Sequence, residues 1–109
     1  MKPSQIYYSQ NSINERFDNG YTIYATLNAC KNHPFVIYEI PPIRVCKKDG
    51  KWYTLDNRRL WVFKRLEEQG HVDSVRIKKV SPSLLTAQKF TTTNGGESVE
   101  IRNRTDWFF

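Results

Sequence analysis

Apolar positions change their spacing several times along this chain, and each change marks a predicted element. Ile43 and Val45 alternate with Arg44, then Asp49-Gly50 intervenes, then Trp52, Tyr53 and Leu55 follow. That order reads as strand, tight turn, strand, because Asp-Gly tolerates the positive φ angles of a two-residue hairpin loop. From Leu60 the spacing becomes helical: Leu60, Phe63 and Leu66 share one side of a helix expected from near Asn57 to about Gln69. Asp56-Asn57 offers its cap and Gly70 its stop. Beyond it, Val75–Val80 alternates again, with Val75 and Ile77 facing inward and Arg76 and Lys78 outward. This last strand is expected beside the hairpin.

The flanking pattern is weaker. Met1–Gln5 reads as a frayed end and Ile6-Tyr7-Tyr8 as a short strand. Ser12 and Glu15 have capping-box spacing, which predicts a helical turn from Ile13 to Phe17. Thr22 caps a second helix with Ile23, Leu27 and Cys30 on one face, ended by His33-Pro34. Phe35-Val36-Ile37-Tyr38 is dense in strand formers, and Pro41-Pro42 enforces extended backbone. After Ser81-Pro82-Ser83, Leu84 and Leu85 read as a short helix or an anchoring loop. Phe90–Thr93 and Ser98–Ile101 suggest a hairpin around Asn94-Gly95-Gly96. Trp107-Phe108-Phe109 either docks on its own domain or fills a partner's groove. Together these predict one α+β domain over 1–109, a small mixed sheet with packed helices, with 81–109 as a C-terminal extension or hairpin.

Charge alters this picture more than composition does. The chain carries a net +6. Residues 43–80 hold 11 Lys and Arg against 5 Asp and Glu, whereas 1–42 and 81–109 are each balanced. The excess therefore lies on the strand–helix–strand segment, which points to an anionic partner such as nucleic acid, a nucleotide or phosphate, the alternative being a solvated lysine-rich surface with no specific partner. Cys30 and Cys46 fit no metal pattern and are too few for a disulfide scaffold. No basic-then-apolar leader is visible and no apolar run reaches membrane-spanning length. The expectation is a cytoplasmic or nuclear protein without a membrane partner.

The start of the central helix collects the candidate chemistry. Arg59 falls in the first helical turn, where unpaired N–H groups favour an anion. Arg58 and Arg65 share a stripe with Trp61 between them, and Lys64 lies nearby. If Asp56 caps the helix, it takes some of the same donors. The alternative is structural: Arg58 and Arg59 pair with Glu39, Glu67 or Asp73. His71 is placed to act as a general base near a phosphate, or equally as a helix-terminal residue that suits the dipole. Metal-assisted phosphodiester cleavage needs clustered carboxylates or histidines, and the acids here are scattered.

The residues LDNRRLWVF, after PPIRV, resemble the ParB-like family, in which a glycine-acid-arginine-arginine motif precedes an apolar helix. Sulfiredoxins share that fold and carry their reactive cysteine in the same loop. The likeness covers 41–80 well, 6–40 loosely and the last 29 residues not at all. It implies a ParB/sulfiredoxin-like fold acting on nucleic acid or nucleotide phosphate, a nuclease with a divalent metal such as magnesium being one form. Arg59 and Arg58 match the two arginines, and Arg59 the one that binds phosphate. Asp56 stands where the family has glycine. Asn57 stands where it has the acid or the cysteine, so thiol chemistry of the sulfiredoxin kind is excluded. The resemblance also places Ser9 and Gln10, just after the first strand, near the ligand; the alternative for both is turn chemistry alone. The candidate catalytic residues are thus His71 and Asp56. The candidate phosphate or nucleic-acid ligands are Arg59, Arg58, Asn57, Lys64, Arg65 and Gln10. The alternatives to an enzyme are a non-catalytic binding module and a protein-interaction domain using the aromatic C-terminus.

Overall fold

The Asp-Gly hairpin forms the middle of a four-stranded sheet. In a computed structural model describing residues 1–102, β3 (Ile43–Lys48) and β4 (Lys51–Thr54) pair antiparallel. Asp49 and Gly50 between them have φ of 51° and 80°, the pair of positive values that a type I′ turn demands. β5 (Ile77–Lys79) runs parallel to β3, with Ile77 opposite Ile43. β1 (Ile6–Tyr7) runs parallel to β4, giving the order β1-β4-β3-β5.

Pleating puts Ile43 and Val45 on one face of this sheet, fully buried in the main core. That core is shared with α3 (Asn57–Glu68). Leu60, Phe63 and Leu66 are buried as their spacing predicts, but Trp61 and Val62 are buried too. Helix α1 (Ile23–Asn32) causes the difference: it packs on a second side of α3, where Tyr24 meets the Trp61 ring edge-on at 5.5 Å. Thr22 caps α1 by accepting the Ala25 N–H at 3.0 Å. At the end of α3 the Gly70 and His71 N–H groups donate to the Glu67 and Leu66 carbonyls at 3.0 and 2.8 Å. That double closure satisfies carbonyls which the helix itself leaves open.

The opposite face of the sheet has its own small cluster. Cys46, Tyr53 and Leu85 are buried together, and Phe90 packs edge-on against Tyr53 at 5.0 Å. The segment after β5 therefore covers the back of the hairpin. The architecture is α+β, with α-helices on one face of a mixed sheet and an irregular segment on the other.

Four local expectations are corrected. Phe35–Tyr38 is not a strand: α2 (Val36–Glu39) is a short helix, tied by Val36 N–H to His33 O at 2.9 Å and Ile37 N–H to Pro34 O at 3.1 Å. Strand formers without a pairing partner yield to the turn that Pro34 begins. Ile13 does not start a helical turn either. It lies in β2 (Ser12–Asn14), which pairs parallel with β6 (Glu100–Arg102) and buries Ile13 opposite Ile101. One isolated helical turn is marginal, and long-range pairing outweighs its capping signal. Consequently Ser98–Ile101 does not form a hairpin with Phe90–Thr93 among the described residues. Lastly, Met1–Gln5 is tied down, since Met1 and Val75 exchange hydrogen bonds at 3.1 and 2.9 Å. The Trp107–Phe109 segment lies outside the described residues.

The Asn94-Gly95-Gly96 turn closes over the end of β1, where Gly96 O accepts the Tyr8 N–H at 3.0 Å. Gly96 has φ of 80°, and a Cβ there would strike the Tyr8 carbonyl and lie 2.8 Å from Tyr7 Cβ. Gly95 shares the positive φ, but its added Cβ meets only Lys51 Nζ, at 3.8 Å. Gly96→Ala should therefore cost about 2–3 kcal/mol in urea melts, from φ strain and overpacking together. Gly95→Ala should cost about 1 kcal/mol. Equal losses would mean that the close approach at Gly96 carries no weight.

Candidate functional site

Two neighbouring residues at the start of α3 fasten it in opposite directions. Asp56 accepts two bonds from the Arg44 guanidinium, at 3.1 and 2.8 Å, and the Arg44 backbone N–H at 2.7 Å. Asn57 is buried, and its Oδ1 accepts the Ser9 N–H at 2.8 Å and the Gln10 N–H at 3.3 Å. Its Nδ2 donates to Ser9 Oγ at 3.0 Å. One residue thus binds the helix to β3 and the next binds it to the loop after β1. Because the Asp56 carboxylate is spent on Arg44, no side chain caps α3. The expectation that Asp56 caps the helix is corrected accordingly, and the first-turn N–H groups keep their donor capacity.

This helix start opens on a cleft of about 830 Å³, lined among others by Gln10, Tyr21, Glu39, Arg44, Arg58 and Arg59. Arg58 donates to the Arg16 carbonyl, Nη1 to O at 2.6 Å, and lies 3.5 Å from the exposed Asp18 carboxylate. Its guanidinium also stacks over Phe17 at 5.8 Å. It braces the loop between β2 and α1. Arg59 is far less committed. Its Nη1 makes two long contacts, 3.4 Å to the Pro42 carbonyl and 3.7 Å to Asp56 Oδ2, and its Nε and Nη2 make none among the described residues, at the same 32% side-chain exposure as Arg58. Among the described residues Arg59 holds the guanidinium fork with the most unused donors in the cleft.

The residues proposed from sequence divide clearly. Gln10, Asp56, Asn57, Arg58 and Arg59 converge on this cleft. His71 lines a different one of about 310 Å³, between α2 and the loop after α3, together with Asp73 and Arg76. The structure therefore does not bring His71 and Asp56 together. Lys64 and Arg65 lie farther along α3, over the rings of Tyr8 at 5.3 Å and Trp61 at 5.2 Å. Burial pushes the Lys64 ammonium below its ordinary range against the pull of Glu97, Glu67 and Glu68. Glu67 takes its hydrogen bonds from Ser4 instead of an arginine. Arg44 and Glu39 were not singled out as cleft residues by sequence. The signal for Arg44 was its outward position in β3, close to Asp56 once the hairpin folds back.

Among the described residues no three of His, Cys, Asp and Glu gather as a metal site. Cys30 and Cys46 are buried thiols, both pushed up in pKa by burial. No described helix is long and apolar enough to cross a membrane. Compared with protein-family models, with curated proteins and with solved structures, the chain matches none.

Burial alone would raise the Asp56 pKa. Hydrogen bonds from the Arg44 side chain and backbone outweigh it, with the charges of Arg59 and Arg44 adding to them, and hold the carboxyl below its ordinary 3.8. A lowered folded-state pKa means that the fold favours the ionised form. Its contribution is complete above the ordinary value and disappears as pH falls through the folded one. Asp56→Asn should cost about 1–2 kcal/mol at pH 7, towards the lower end for a charged bond because Arg44 stays 45% exposed. In denaturant melts the gap between variant and wild type should narrow steadily below about pH 4. A gap independent of pH would show that the carboxylate charge contributes nothing.

Proposed function

We propose that this chain is a ParB-like binding module that holds the phosphate of a nucleotide or nucleic acid at the start of α3, without cleaving it. The observation that carries this reading is Arg59. It matches the family's phosphate-binding arginine, stands in the first turn of an uncapped twelve-residue helix, and meets the open cleft with most of its fork unpaired. A guanidinium beside free amide donors suits the oxygens of a phosphate. The ParB/sulfiredoxin-like reading of the fold is supported by the order of parts: a Pro-Pro-Ile strand, a hairpin, an Arg-Arg helix start, then a strand parallel to the first of the hairpin.

Binding is favoured over catalysis by what surrounds the acid. Asp56 is ionised and fully engaged by Arg44, which suits neither proton donation nor proton abstraction. The other candidate, His71, faces another cleft. The cleft lining carries three carboxylates against three guanidiniums, so net charge supplies little attraction. Recognition rests on the placement of the Arg59 fork, which a lysine cannot reproduce.

Arg59→Lys should weaken ADP binding on the order of tenfold in calorimetric titration, with thermal melting almost unchanged. Arg58→Lys should affect ADP less and stability more, since Arg58 braces the loop before α1. If the Arg59 variant instead melts lower and binds ADP as wild type does, Arg59 is a structural partner of Asp56 and the reading fails.

A further inference from the structure

At the far end of β3 from the cleft, the hairpin concentrates positive charge against its own interest. Strand β1 pairs no further than Trp52 and β5 no further than Val45, so Lys47–Lys51 extends past its paired neighbours as a two-stranded prong. Lys48 and Lys51 stand directly opposite each other, and like charges in that relation destabilise a sheet. On the other face Lys47 and Lys79 both approach the Trp52 ring, at 5.9 and 5.3 Å. Lys48 lies over Phe90 at 5.2 Å and Lys51 over Tyr7 at 4.8 Å. The rings hold four ammonium groups in one region. Among the described residues the only carboxylate bridged to any of them is Asp49, 3.7 Å from Lys48 and itself 86% exposed. A cluster whose directly opposed lysines break the local pairing rule, offset by aromatic faces and one exposed carboxylate alone, marks a surface shaped for something outside the fold.

We infer that this hairpin end is a docking surface for duplex nucleic acid, gripped through its phosphates and without sequence preference. The inference is independent of the cleft, which lies at the opposite end of β3. A polyanion matches the charge, and a two-stranded ribbon has the width to enter a major groove. A single strand is disfavoured because it needs open aromatic faces on which to stack. Here each ring is taken by a lysine, and Tyr7, Trp52 and Phe90 are all partly buried. An anionic membrane is disfavoured because the exposed aromatics, Tyr21, Tyr24, Phe35 and Tyr38, belong to α1, α2 and their flanking loops.

The test is fluorescence anisotropy of the full chain with a labelled random-sequence duplex between about 50 and 200 mM salt. The triple variant Lys47→Gln, Lys48→Gln, Lys51→Gln should lose about tenfold or more in affinity at the low end. Its log–log salt slope should be shallower by about 2–3, one step for each phosphate contact removed. Asp49→Asn keeps a favoured Asn-Gly turn and removes the tip's carboxylate, so it should bind the duplex severalfold tighter even if the triple variant folds poorly. Unchanged binding in a folded triple variant would overturn the inference, as would weaker or equal binding by Asp49→Asn. Stronger binding to a single strand of equal length, or to phosphatidylserine vesicles, would overturn the choice of duplex.

Discussion

The Asp56 carboxylate is the joint on which the rest of the molecule depends. Placed between β4 and α3, it captures both the side chain and the backbone of Arg44 on the neighbouring strand. This fixes the angle at which α3 leaves the sheet, and so the way Leu60, Phe63 and Leu66 meet Ile43 and Val45. Charge-assisted bonds of this kind are short and directional, which suits a joint better than apolar contact does. The same commitment removes Asp56 as a helix cap. Structural need at the joint and an open donor array at the helix start are therefore two results of one interaction.

Asn57 completes the joint from the other side. Its amide group accepts two backbone N–H groups from the loop after β1 and donates to Ser9. An acidic side chain there could accept the same bonds but could not donate, and it would bring a second negative charge beside Asp56. A cysteine would support neither pattern well. Asparagine at this position, where the ParB-like motif that the sequence resembles has an acid, thus has a physical reading: the residue holds the cleft wall. Arg58 extends the bracing to the loop before α1, and Arg59 is left facing the opening.

Local rules made part of this legible. Asp49-Gly50 specifies a turn of one geometry, and the double closure at Gly70 ends α3 where its spacing does; both are decided within a few residues. The strand expected over Val75–Val80 was visible in its alternation and lies beside the hairpin, but only Ile77–Lys79 of it pairs, against β3. What sequence hid depends on distant contacts. Ile13 is a strand residue only because Ile101 arrives to pair with it. Val36 and Ile37 read as strand until Pro34 and the end of α1 turn them into a helix. Trp61 reads as a surface residue because one apolar stripe is expected, whereas α3 is packed on two sides. In the cleft, Arg58, Arg59 and Asn57 were singled out from the motif, and the structure brings them to one place, but their different partners were not legible. The partners that separate them, Asp18, Pro42 and Ser9, lie on other elements.

The central claim is that the start of α3 is an anion site prepared by the Asp56 and Asn57 ties. The most direct measurement is a titration of the isotopically labelled protein with ADP, followed by amide and guanidinium NMR shifts. The account predicts saturable shifts largest at the Asn57, Arg58 and Arg59 amides and the Arg59 side chain, with smaller ones at Gln10. Shifts centred on His71 to Arg76, or a linear drift without saturation across the surface lysines, would contradict it.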